Sequence, residues 1–207
     1  MPPPSRRLDA RTVDRFKPVL FVIGLLPLAR WVWLGATGGL TANPIEFLTR
    51  SAGTWTLVCL LATLAITPLR RLCGQPALVR LRRMCGLFAF FYGTLHFLSW
   101  AWWDQAFDPA GMLRDVLERP FVAFGLVAYL LMVPLAATST QGWMRRLGRR
   151  WQALHRAVYA TGLLAILHYW LHKAGKNDYA EVSIYGAVLA VLLGWRVYAW
   201  LRGKQVR

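Results

Sequence analysis

Six long apolar stretches constrain this chain more than any other feature. They run Pro18–Ala36, Thr54–Leu69, Cys85–Trp103, Phe121–Ala137, Trp151–His172 and Tyr179–Leu201. A helix needs about 20 mostly apolar residues to cross the hydrocarbon core of a bilayer, with a lower limit near 17. The second stretch is short, and the Glu46–Gly53 region before it is expected to extend it. The fourth is bracketed by Pro120 and Pro134. The runs are continuous and lack the period-two alternation of transmembrane β-strands, which excludes a barrel. Composition agrees: 16% of residues are charged, against about 25% in a soluble domain. The expectation is an all-α integral membrane protein, a six-helix transmembrane bundle spanning residues 18–201. A basic tail, 1–17, precedes it and a short tail, 202–207, follows.

A net charge of +16 and a pI near 11.0 would suit a nucleic-acid binder, but the placement of the charges argues otherwise. Seventeen of the 25 basic residues fall in segments 1–17, 70–83, 138–150 and 202–207, with Asp9 and Asp14 as their only acids. The intervening loops carry Arg50, Arg114, Arg119, Lys173 and Lys176 together with the other seven acids. That is a positive-inside pattern, with six spans and both termini in the cytoplasm of a bacterial inner membrane. Membrane lipid, and no nucleic acid, is the implied partner of the basic loops, because no recognisable nucleic-acid module accompanies them.

Other motifs are sparse. Cys59, Cys73 and Cys85 form no C-x-x-C pair and no C-x-x-C-H, so covalent haem attachment, iron–sulfur and structural zinc spacings are all missing. Gly35, Gly38 and Gly39 follow a helix in an outer loop and are not a dinucleotide fingerprint. The first span follows a basic tail and is read as a retained anchor.

Four histidines remain, His96, His155, His168 and His172, each in or at the end of an expected span. Ionisable residues there cost a few kcal/mol and mark function by default; the bland alternative is a hydrogen-bonding residue satisfied between helices. His155 and His168 lie thirteen residues apart, about 20 Å in depth, too far for one metal ion and suitable for two haems stacked across the bilayer. Thirteen residues also turn a straight helix by about 140° off-face, so both rings address one bundle interior only if the helix bends. By depth, His96 pairs with His168 for an outer haem b. His155 is the candidate ligand of an inner haem, with Arg82 and Arg156 as candidate propionate or quinone partners. The rival class is a transporter or proton relay built on the histidines, which would call for acids deep within the spans, and the six stretches hold only Glu181, at the outer end of the last.

A resemblance adds to this reading. The chain carries Asn43-Pro44-x-Glu46, Thr67-Pro68-Leu69-Arg70-Arg71, Arg82-Arg83-x-x-Gly86-Leu87, His96, Arg119-Pro120 and Pro134-Leu135-Ala136-x-Thr138-Ser139. It continues with Arg146-Leu147-Gly148-x-x-Trp151-x-x-Leu154-His155-Arg156-x-x-Tyr159 and His168. In this order the motifs resemble the MsrQ (formerly YedZ) family of haem-binding membrane subunits, within the ferric reductase and NADPH oxidase transmembrane group. In that group two helices each supply two histidines to two haems; here Arg82 stands in place of the second histidine of the third helix. The resemblance implies haem b, one or two per chain, with FMN as a further cofactor. It implies electrons arriving from the quinone pool or a cytoplasmic flavin reductase. They would leave to an MsrP-like periplasmic molybdenum-cofactor subunit that reduces methionine sulfoxide. A stand-alone ferric or quinone reductase of the same group is the alternative.

Overall fold

The computed structural model describes residues 9–175 and 177–205. Among them the secondary structure is helical throughout: α1 (Ala10–Ala36), α2 (Pro44–Leu72), α3 (Arg82–Ser99), α4 (Pro109–Glu118), α5 (Pro120–Ala137), α6 (Gln141–Leu147), α7 (Arg149–His155), α8 (Ala157–Ala174) and α9 (Ala180–Gln205). A 3-10 turn, Pro76–Leu81, leads into α3, and a π-helical turn, Trp100–Asp104, follows it. Five segments are long and apolar enough to cross a membrane: α1, α2, the continuous stretch Pro76–Asp104, α5 and α9. α8, with 18 residues, is not among the five. His168, His172 and Lys173 dilute its apolar character.

α1 begins earlier than its apolar run. Ala10–Lys17, read from sequence as part of a polar tail, is helical because its charges find partners. Asp14 bridges Lys17 at 2.7 Å and Arg80 of the 3-10 turn at 3.2 Å, and Val13 beside it is buried. Residues 1–8, Lys176 and the last two residues lie outside the described residues, with Arg6, Arg7 and Arg207 of the charge pattern among them. α2 reaches back to Pro44, as the sequence suggested. Pro44 sits in its first turn, where a missing N–H is harmless, and the Asn43 side chain accepts from the Glu46 amide at 3.1 Å.

Two antiparallel pairs organise the bundle: α2 lies along α3, and α5 along α8. Leu57, Leu60, Leu61 and Leu64 of α2 form the centre of the core with Ala89, Met132, Val158 and Leu189 from four other helices. A second cluster, Trp31, Ala52, Phe88 and Tyr92, attaches α1. Tyr92 is fully buried and donates its hydroxyl to the Gly24 carbonyl at 2.6 Å. Gly24 has no alternative here: a Cβ would sit 2.5 Å from the Phe88 ring.

α9 is fastened to the core by a polar contact. Pro68 has no N–H to give the Leu64 carbonyl one turn before it, which leaves that buried acceptor open. Arg196 of α9 fills it, donating through Nη2 at 2.5 Å, and through Nη1 to the Leu192 carbonyl at 2.8 Å. The same guanidinium stands 5.3 Å from the centre of the Tyr159 ring.

The fifth apolar stretch is two helices. Around Arg156 the ladder tightens to three-residue bonds, Arg156 N–H to the Ala153 carbonyl at 3.2 Å and Tyr159 N–H to the Arg156 carbonyl at 3.0 Å. α7 therefore ends at His155 and α8 restarts at Ala157. The straight helix assumed for the His155–His168 spacing is thus interrupted at Arg156.

Candidate functional site

Between the two helix pairs lies a cavity of about 670 Å³, inside the range of about 300–1,000 Å³ typical of cofactor pockets. Its inner walls are apolar, with Leu57, Leu60, Ala128, Met132 and Ala165, and its mouth is charged, with Glu46, Arg50, Asp104, Arg119, Lys173 and Glu181. His96 of α3 and His168 of α8 line it from opposite sides. Their ring centroids are 5.9 Å apart and the planes meet at 78°.

Each of these rings is fixed by the helix it packs against. His96 Nδ1 lies 2.8 Å from the Thr49 carbonyl of α2, and His168 Nδ1 lies 2.6 Å from the Phe121 carbonyl of α5. A carbonyl can only accept, so Nδ1 carries the proton in both, and Nε2 keeps its lone pair. Such an Nδ1–H contact to a backbone carbonyl is the usual way a metal-ligating imidazole is oriented.

Glycines make the close approach feasible. A Cβ at Gly53 would stand 3.1 Å from His96 Cε1, and one at Gly125 would stand 2.6 Å from His168 Nδ1. In both pairs the glycine lies one turn beyond the accepting carbonyl, Thr49 to Gly53 and Phe121 to Gly125. The two sets are also 72 residues apart throughout: Thr49 and Phe121, Gly53 and Gly125, His96 and His168. The α2–α3 and α5–α8 pairs thus repeat one device. The sequence shows no such repeat on inspection, because Thr49 and Phe121 contribute only backbone.

The donor set suits haem iron. Two nitrogens each about 2 Å from one metal place imidazole centroids about 6 Å apart, and the observed separation is 5.9 Å. Among the described residues, no three His, Cys, Asp or Glu side chains gather to hold an ion by themselves. Iron held here by two imidazoles would need its other ligands from a macrocycle. The apolar walls and polar mouth match a porphyrin with an apolar body and carboxylate edge.

The remaining candidates sit elsewhere. His155, at the end of α7, stacks on Trp151 with centroids 3.9 Å apart, and its Nε2 lies 3.0 Å from Thr138 Oγ1. The Thr138 hydroxyl donates to the Pro134 carbonyl at 2.6 Å, so it accepts from His155 Nε2–H. Ligation through Nε2 would replace that contact. Arg82, at the start of α3, is within electrostatic reach of His155, whereas Arg156 is exposed. None of these three lines the His96–His168 cavity. His172 does, with its ring 5.3 Å from that of Phe121.

Residues 52–166 match the family described as "Ferric reductase like transmembrane component", a stretch that includes His96 and His155 and stops short of His168. A Bordetella pertussis protein named "Protein-methionine-sulfoxide reductase heme-binding subunit MsrQ" is 72% identical over 201 residues, covering 97% of this chain and 98% of that one. This chain belongs to the MsrQ family. MsrQ proteins of the same name from Ralstonia nicotianae and Xanthomonas axonopodis pv. citri are 58% and 46% identical, over 96% and 88% of this chain and 92% and 84% of theirs. No solved structure matches the chain. Membership in MsrQ accords with the all-helical fold, the apolar helices and a cavity of cofactor size.

Proposed function

We propose that this chain is a membrane cytochrome b that carries electrons outward to a periplasmic methionine sulfoxide reductase subunit. The observation that carries the reading is the His96–His168 pair, two imidazoles 5.9 Å apart whose Nδ1 protons are held by helix carbonyls. With Nδ1 protonated, each ring keeps an Nε2 lone pair that would serve iron, and haem b held there would supply one-electron chemistry. The protein's part is to fix both rings, exclude water from the cavity and turn the polar edge of the group toward the mouth.

The same arrangement disfavours a proton relay. An Nδ1 proton already donated to a helix carbonyl is not available for transfer along a chain of groups. The relatives' name, the haem-binding subunit of a methionine sulfoxide reductase, supports the electron-transfer reading over a stand-alone ferric or quinone reductase.

The finer reading continues from there. The chain has six spans, the five long apolar segments and α8, with both termini in the cytoplasm of the inner membrane, in line with its basic inner segments. His155 ligates a second, inner haem, with Arg82 and Arg156 beside it for propionates or a quinone. Electrons enter from the quinone pool or a flavin reductase, FMN serves as a further cofactor, and the acceptor is a molybdenum-cofactor enzyme.

The test is made on the full chain purified in detergent. A Soret band and reduced b-type bands are expected, with most of one haem lost in His96→Ala and in His168→Ala. The reduced protein is expected to be reoxidised by a periplasmic methionine sulfoxide reductase subunit plus substrate. Unchanged haem content in both variants would sink the reading.

A further inference from the structure

The cavity mouth holds an arginine that is aimed from behind by a buried acid. Asp115 of α4 is 6% exposed. It receives three donors: Trp100 Nε1 at 2.8 Å, Gln105 Nε2 at 3.0 Å and Arg119 Nε. A carboxylate held from three sides has one orientation, and it fixes the guanidinium bonded to it. The Arg119 backbone is fixed as well. Its N–H donates to the Asp115 carbonyl and its own carbonyl accepts from Val122 N–H, both at 2.9 Å, while Pro120 starts α5 immediately after it.

Only Nε faces the acid. Among the described residues no acceptor is hydrogen-bonded to Arg119 Nη1 or Nη2, and Asp104 at the same mouth is a second acid within electrostatic reach of it. The residue lines the cavity, with its guanidinium carbon 6.0 Å from the centre of the Phe121 ring, whose carbonyl fixes His168. Two parallel donors left open on a fixed guanidinium match one ligand chemistry best, a planar carboxylate. The other cations at this mouth are held differently. Arg50 pairs with Glu46 and Lys173 with Asp178, acids 45% and 53% exposed; Arg119 is itself 52% exposed, and what sets it apart is the buried acid behind it.

We propose that Arg119, aimed by Asp115, is the propionate clamp of the haem held by His96 and His168. The inference rests on the haem reading above and extends it to a binding residue and a positioning residue. Arg119 donates its Nη hydrogens to a propionate carboxylate and sets which edge of the macrocycle faces the mouth. Its positive charge favours the reduced haem and keeps the propionate ionised.

The experiment is a redox titration and resonance Raman spectrum of the full chain with its native haem, for wild type, Arg119→Ala, Arg119→Lys, Asp115→Asn and Arg114→Ala. Arg114 is exposed on α4 and does not line the cavity, so its variant reports a distant loss of charge. In Arg119→Ala the midpoint potential is expected to move negative and to fall more steeply with rising pH, as the propionate begins to titrate. The propionate bending band is expected to move in Arg119→Ala, Arg119→Lys and Asp115→Asn alike. Arg114→Ala is expected to leave both signals at wild type. Wild-type potential, pH slope and bending band in Arg119→Ala, or a shift in Arg114→Ala as large, would overturn the clamp. Should Arg119→Ala fail to accumulate, an unmoved bending band in both Arg119→Lys and Asp115→Asn overturns it too. Retention of haem in His96→Ala and His168→Ala would instead remove the haem reading itself, so the two failures are distinguishable.

Discussion

His96 and His168 face each other across the bundle with ring centroids 5.9 Å apart, each anchored through Nδ1 to a helix carbonyl 47 residues earlier in the chain. Nothing in either side chain alone produces this. The anchoring carbonyls belong to α2 and α5, and the rings reach them because each helix carries a glycine one turn further on. The site is therefore a property of two helix pairs, and its sensitivities lie in residues other than the two histidines.

The glycines are the first of these. At Gly125 an added methyl would stand 2.6 Å from His168 Nδ1, whereas at Gly53 the nearest His96 atom would be at 3.1 Å. Overpacking of this sort costs about 1–3 kcal/mol, and here it displaces an imidazole. Gly125→Ala is expected to lower the haem-to-protein ratio more than Gly53→Ala, with the far-ultraviolet circular dichroism of both near wild type. The reverse ranking would contradict the ring positions described.

Arg196 offers a test of the α9 attachment. Arg196→Met leaves the buried Leu64 carbonyl without the donor that Pro68 cannot supply, a loss of about 1–3 kcal/mol. Pro68→Ala restores an amide for that carbonyl inside α2. The destabilisation by Arg196→Met is expected to shrink in the Pro68→Ala background, as read from thermal unfolding in a double-mutant cycle. Additive effects would show that the two residues do not share this acceptor.

His155 separates two roles. If it binds an inner haem through Nε2, His155→Ala lowers the haem-to-protein ratio, whereas Thr138→Val, which removes only the hydroxyl now bonded to that nitrogen, preserves it. The expected outcome is loss in the first variant and wild-type content in the second. Equal behaviour of the two would make His155 a tether between α7 and the end of α5.

Much of this protein is legible along the chain. The apolar runs, the basic loops, the prolines at helix starts and the four histidines are local features, and lipid leaves few structures other than helices for such runs. The pairing of His96 with His168 follows from depth along two helices, since rise per residue is nearly constant. The break at Arg156, which divides the fifth apolar stretch into α7 and α8, has no such signature in the sequence.

Tertiary packing decided the rest. Which carbonyl orients each imidazole, why Gly53 and Gly125 stand where they do, and how Arg196 answers Pro68 all depend on contacts between helices distant in the sequence. Backbone acceptors carry no residue signature, so Thr49 and Phe121 cannot be recognised as partners until the helices are placed. The repeated 72-residue offset stayed hidden for the same reason. His96 and His168 were visible as candidates along the chain; their tautomer, set by the Thr49 and Phe121 carbonyls, emerged only from the packed helices.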